Sequence, residues 1–124
     1  MATPITQDLR RTAHYIVSEA NGYRSREQKT IASGAGVLRP GAVLGMVTAS
    51  KKYVAYTPGA SDGSQNAVAI LYEGCDATSA DVRRTLTIRD TEVEAAALQW
   101  AGGVNDSQKN TALAALAALG ITAR

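Results

Sequence analysis

Between Lys29 and Arg89 every apolar stretch is short, and each is closed by residues that turn the chain. Lys29-Thr30-Ile31-Ala32 leads into Ser33-Gly34-Ala35-Gly36. Arg39-Pro40-Gly41 precedes Ala42-Val43-Leu44-Gly45-Met46-Val47-Thr48. Tyr53-Val54-Ala55-Tyr56 lies between Lys51-Lys52 and Pro58-Gly59, as the return strand of a hairpin would. Runs this brief do not bury a helix face, whereas they match half-buried strands between tight turns. At Ser61-Asp62-Gly63-Ser64 the turn is specified chemically, because Gly63 tolerates positive φ and Asp62 can bond the backbone beyond it.

Ala67-Val68-Ala69-Ile70-Leu71-Tyr72 is an uninterrupted apolar run of a length suited to a buried strand. Arg84-Thr85-Leu86-Thr87-Ile88-Arg89 alternates, which predicts Leu86 and Ile88 inward with the polar residues out. Thr91 to Trp100 fits either period and is read as a strand. Near the end, Asp106 or Ser107 caps a predicted helix. Its apolar stripe is Ala112, Leu113, Leu116 and Leu119, and Gly120 occupies the position after the last turn. Ile121-Thr122-Ala123 predicts a last short strand. The fold class is therefore mainly β, a small β-rich α+β domain with one C-terminal helix.

The first 25 residues differ. Tyr15-Ile16-Val17 is their one small apolar cluster, set among polar residues and closed by Asn21-Gly22. This predicts a flexible N-terminal arm over 1–25, able to order by adding a strand to a partner's sheet edge, and a single domain over 26–124.

Among the 124 residues there is no Phe and a single Trp. Apolar burial contributes about 25 cal/mol per Å², so a core of Ala and Val is thin, and association with further copies would supplement it. The net charge of +2 sits wholly in residues 1–29, which hold five basic and three acidic groups. That is too weak for a nucleic-acid footprint. One cysteine, Cys75, excludes an intrachain disulfide and a Cys-rich metal site, and fits assembly in a reducing intracellular setting. No apolar run approaches the ~20 residues of a membrane span, and the start lacks a secretory pattern, so the expectation is a soluble, untargeted protein.

Catalysis finds no constellation. His14, the one histidine, lies in the predicted arm, away from any partner that a general base requires. Cys75 stands between Glu73 and Asp76, which would raise a thiol pKa, so it reads as a packing residue. Asp90, Glu92 and Glu94 share one face of a strand and read as cross-strand partners of Arg83, Arg84 and Arg89 rather than metal ligands. The glycines of Gly34 to Gly36 and Gly41 to Gly45 lack the Lys-Ser/Thr of a phosphate loop. Arg10, Arg11, Arg24 and Arg26 are scattered among acids, as solvated charge or as partners for an acidic protein surface. Trp100 reads as an anchor in the core or at a subunit interface. No catalytic residue, cofactor or metal is expected.

Tyr23-Arg24-Ser25-Arg26-Glu27, Gly41-Ala42-Val43-Leu44-Gly45, Lys52-Tyr53-Val54, Asp62-Gly63-Ser64 and Ala67 to Tyr72 follow one another in an order that resembles the phage head-decoration (capsid cement) protein family, lambda head protein D type. The likeness continues through Arg89-Asp90 to Leu98-Gln99-Trp100 and closes at Ala118 to Ile121. The resemblance implies a β-tulip-like fold and a homotrimer. It implies binding to the major capsid protein at three-fold and quasi-three-fold sites of the expanded head, which is stabilised against the pressure of packaged DNA. Carried onto this chain, it implies a capsid-binding arm that includes Thr3, Pro4, Ile5, Leu9, Arg10, Arg11, Tyr15, Ile16, Val17, Tyr23 and Arg24. Trp100, Leu113 and Leu116 are the expected trimer or core anchors. The implied location is the outer surface of the virion, after assembly in the host cytoplasm, with neither direct nucleic-acid nor membrane contact. A trimeric β-rich host-surface binding module of a virion is the alternative.

Overall fold

The structure, a computed structural model, describes residues 11–124. It is mainly β, with one long helix near the C-terminus. The chain runs β1 (Ile16–Glu19), a one-turn helix α1 (Gly22–Ser25), β2 (Arg26–Ile31), β3 (Gly36–Leu38), β4 (Val43–Met46), β5 (Tyr53–Ala55) and β6 (Ala67–Leu71). It continues through β7 (Cys75–Ala77), β8 (Val82–Thr87), β9 (Thr91–Val93), a 3-10 turn (Ala95–Ala97), α2 (Asp106–Ala118) and β10 (Ile121–Ala123).

Five strands close into a barrel in the order β2-β5-β4-β6-β8, with β8 returning antiparallel to β2. Each contributes to the interior: Ile31, Leu44, Tyr53, Ala69 with Leu71, and Leu86. A second core lies outside the barrel wall, where Val43, Ala67 and Ile70 meet Ala112 and Leu116 of α2, Val93 and Ile121 of the β1-β9-β10 sheet, and Tyr15. Val43 with Leu44 and Ile70 with Leu71 are neighbours in sequence that serve opposite cores, because successive residues of a strand face opposite sides. This explains the unbroken run in β6, since a strand buried on both faces has no polar side to show. Two small cores replace the single thin one.

The wall has to be narrow where loops cross it. A Cβ built on Gly45 would lie 2.5 Å from the carbonyl oxygen of Ser64, so only glycine lets the turn before β6 approach β4 there.

The expected elements are present with shifted edges. β8 begins at Val82 and ends at Thr87, and Thr87 is fully buried rather than outward, because the outer face of the wall is also a core. Thr91 to Trp100 is strand for Thr91–Val93 and then turns through Ala95–Ala97. The cap of α2 is Asn105, ahead of the expected Asp106 or Ser107. Its side chain accepts from the Gln108 amide while the Gln108 side chain accepts from the Asn105 amide.

The largest difference concerns residues 11–25, read from sequence as part of a flexible arm. In the structure they belong to the folded body: Tyr15 is fully buried and β1 pairs antiparallel with β9. The segment looked too polar to pack because its polar groups satisfy one another, as described below. Thr3, Pro4, Ile5, Leu9 and Arg10 lie outside the described residues. No helix among the described residues is long and apolar enough to cross a membrane.

Candidate functional site

The chain enters the body beside the turn between β3 and β4. The Ala13 amide donates to the Tyr72 carbonyl at 2.9 Å. His14 Nε2 donates to the Pro40 carbonyl at 2.8 Å, which fixes the proton on that nitrogen because a carbonyl can only accept. Tyr15 then passes its ring into the outer core and its hydroxyl meets Thr87 Oγ1 at 2.6 Å. Burial pushes the Tyr15 hydroxyl well above the ordinary tyrosine range.

Past β1 a polar clasp holds the segment. The Glu19 carboxylate accepts from Arg26 Nε at 3.1 Å and from Arg26 Nη2, and it also accepts from Ser25 Oγ at 3.0 Å. The hydrogen bonds from Arg26 hold the Glu19 carboxyl below its usual range, and the same pairing raises Arg26. The Arg26 guanidinium stacks 4.3 Å from the centre of the Tyr72 ring, joining β1 through β2 to the end of β6. No sequence period signals this arrangement, since Glu19 and Arg26 meet only because Asn21 caps α1 and reverses the chain.

Of the expected arm residues, Arg11 is exposed, Ile16 half-buried and Val17 58% exposed where the pairing of β1 with β9 bulges. Tyr23, on α1, is 98% exposed, an aromatic left with no packing partner. Arg24 beside it pairs with Asp90 at 2.9 Å.

Of the three acids Asp90, Glu92 and Glu94, two pair with cations other than those expected, and Glu94 is exposed with no ion-pair partner among the described residues. Asp90 pairs with Arg24, Glu92 with Arg124, and Arg89 pairs with Glu27 instead. Asp90 has a φ of 50°, so the strand begins only after it and the three acids do not form one regular face. Arg83 reaches Gln28, and Arg84 donates to the Gly74 carbonyl. Among the described residues no group of His, Cys, Asp and Glu could hold a metal ion. Cys75 is buried at the start of β7, and burial pushes its thiol up, away from the thiolate.

Two grooves flank Trp100. On one side Ala95, Leu98, Lys109 and Leu113 line the first with it, and Lys109 Nζ stands 5.9 Å from its ring. On the other side lies a groove of about 350 Å³, bounded by β3 and the Gln99 to Ala101 segment, with Val37 and Arg39 at its rim. Tyr56 packs edge-on to Trp100 at 6.2 Å. Of the expected anchors, Leu116 is buried in the outer core, whereas Trp100 and Leu113 are half-buried and share the first groove. Val37, 71% exposed, was missed from sequence, where nothing distinguishes it from an inward strand residue.

No curated protein matches this chain. The model of the family described as bacteriophage lambda head decoration protein D matches residues 4–121. The match takes in the clasp, both cores, both grooves and most of the segment before Arg11, and the chain therefore belongs to the bacteriophage lambda head decoration protein D family.

Proposed function

We propose that this protein is a capsid cement: a homotrimer on the outer surface of an expanded phage head, seated at three-fold and quasi-three-fold positions, where it stabilises the shell against the pressure of packaged DNA. The observation that carries this reading is the family match, which supports a capsid-decoration role and spans the folded body together with most of the residues before it.

In this reading residues 1–10 are the capsid-binding arm, and Arg11 to Glu19 are its root. A root held by Tyr15 and by the Glu19–Arg26 clasp transmits load from the arm into both sides of the barrel wall. Trp100 and Leu113 make the groove on which a second copy packs, an aromatic anchor in a partly apolar recess. A trimer offers the lattice three arms, and once one is docked the others act at an effective concentration on the order of mM, so each needs to bind only weakly. The work asked of the protein is mechanical, with neither catalysis nor cofactor. Its partners are two further copies and the major capsid protein, without nucleic acid or membrane, and it assembles in the host cytoplasm.

Mixing the purified protein with expanded and with unexpanded heads, followed by co-sedimentation, tests this. Saturable binding to expanded heads in multiples of three is the expected result. Absence of binding to any cognate head would overturn it.

A further inference from the structure

We propose that Asn21 is a site of spontaneous covalent modification: the Asn21–Gly22 peptide deamidates through a succinimide, and the Glu19–Arg26 clasp gates the reaction.

The sequence supplies the reactivity. Asn66, Asn105 and Asn110 are followed by Ala67, Asp106 and Thr111, whereas Asn21 is followed by glycine. In the reaction the Gly22 backbone nitrogen attacks Asn21 Cγ. A bond from that nitrogen to Cγ closes the succinimide ring, and the carboxamide nitrogen departs as ammonia, taking up the Gly22 amide proton. A side chain on the attacking residue crowds this approach, and glycine has none. Water then adds to one of the ring carbonyls. Addition at Cγ breaks the new bond and leaves aspartate. Addition at the main-chain carbonyl breaks the original peptide bond and leaves isoaspartate, with the chain running through Cγ. Asn21 is exposed, so water has access to the ring.

The structure supplies the gate. At Asn21 ψ is 135°, which turns the Gly22 nitrogen away from the side chain that it must attack. Rotation about ψ to bring the two together takes Asn21 Oδ1 off the Tyr23 amide, which it holds at 3.0 Å. The same rotation swings everything before Asn21 against everything after it, and the clasp spans that bond. Glu19 lies before it and accepts from Ser25 and Arg26, which lie after it. Asp90 ties the two sides again, because its carbonyl accepts from the Ala20 amide and its carboxylate from Arg24. Ring closure therefore waits for these bonds to release together, and its rate follows the fraction of molecules in which they are open.

The product locks the gate open. In isoaspartate the Asn21 main-chain carbonyl becomes a free carboxylate and the chain gains a methylene. The Arg24 and Ser25 amides, which donate to that carbonyl at 2.7 and 3.1 Å, lose an acceptor held in place. With α1 undone, the reversal that brings Glu19 to Arg26 is lost. Aspartate, by contrast, still offers an oxygen to the Tyr23 amide.

The test holds the full chain in mildly alkaline buffer, with samples digested in acid and mapped by mass spectrometry and isoaspartate labelled by a carboxyl methyltransferase. Hydrogen exchange at Tyr23, Arg24 and Ser25 is followed alongside. Asn21 is expected to convert faster than Asn66, Asn105 and Asn110, chiefly to isoaspartate, and the converted fraction to exchange faster at Arg24 and Ser25. Glu19→Gln, which removes the charge from the clasp, is expected to convert roughly fivefold faster. Should that variant fail to fold, urea below the unfolding transition tests the same gate in the parent, where conversion should rise in step with exchange at Tyr23. Gly22→Ala is expected to fall to the rate of the other three asparagines; its Cβ would meet the guanidinium of Arg26 at 3.2 Å, the mobile end of that side chain. Conversion of Asn21 in the parent no faster than at the other asparagines would overturn the site. An unchanged rate in folded Glu19→Gln, or conversion out of step with Tyr23 exchange in urea, would overturn the gate.

Discussion

The hydroxyls of Tyr15 and Thr87 meet at 2.6 Å across 72 positions of sequence, joining the segment before β1 to the last residue of β8 inside the outer core. Both side chains are fully buried, so neither oxygen has water as a substitute. Tyr15→Phe keeps the ring and leaves Thr87 with a lost partner, at a cost of about 1–3 kcal/mol. Tyr15→Ala also empties the ring's site and should cost about 3–5 kcal/mol. Chemical denaturation would read both, with the larger loss for alanine.

The Glu19–Arg26 clasp predicts the pH dependence of this region. Glu19 titrates at 4.5 in an unconstrained chain, and its folded value is lower because Arg26 and Ser25 donate to the carboxylate. A lowered folded value means that the unfolded chain takes up the proton first as pH falls. The contribution is therefore complete above the unfolded value and is lost as pH drops through the folded one. Hydrogen exchange of the β1 amides should be slow and nearly constant from pH 7 to pH 5 once the intrinsic rates are divided out, then quicken below about pH 4.5. In Glu19→Gln the protection should be lower near neutrality and its loss in acid shallower.

Asn105→Ala removes the side-chain acceptor of the α2 capping box and strands the Gln108 amide. A loss of about 0.5–2 kcal/mol is expected, visible as a lower melting temperature. Asn105→Asp should retain stability, because a carboxylate accepts the same bond and suits the positive end of the helix.

Leu113 and Leu116 lie three residues apart on α2 but in different surroundings, half-buried at the Trp100 groove and fully buried in the outer core. Leu116→Ala should destabilise the fold by about 2–5 kcal/mol. Leu113→Asp should instead lower the mass in solution from trimer to monomer while circular dichroism stays native. A monomeric parent protein, or a trimer indifferent to Leu113→Asp, would contradict the assignment of that groove.

Much of the fold was legible because short runs between Gly, Pro and Asp turns admit few alternatives. β4, β5, β6, β8 and α2 all lie close to where periodicity puts them. Two of the features that were not legible share a physical cause, which is that polar residues can be buried when they satisfy each other. Thr87 reads as outward by alternation, yet it faces a second core with Tyr15 as its partner. The stretch from Arg11 to Ser25 reads as an arm because its charges look solvated, yet Glu19 and Ser25 are turned onto Arg26. Asp90 and Glu92 do form ion pairs, but with Arg24 of α1 and Arg124 at the C-terminus rather than with Arg83, Arg84 and Arg89, because positive φ at Asp90 places it outside the regular strand, and Glu94 forms none among the described residues. Val37 has the opposite character, an apolar residue left outside, and periodicity alone does not report which side of a two-stranded ribbon is covered.

The most direct measurement of the central claim is the number of copies bound to expanded heads at saturation, with and without residues 2–10. The account predicts saturation in multiples of three for the full chain and a folded, undiminished trimer that no longer decorates heads when the arm is removed. Binding of the truncated protein with full affinity would contradict the arm's role, and failure of the full chain to bind expanded heads would contradict the account as a whole.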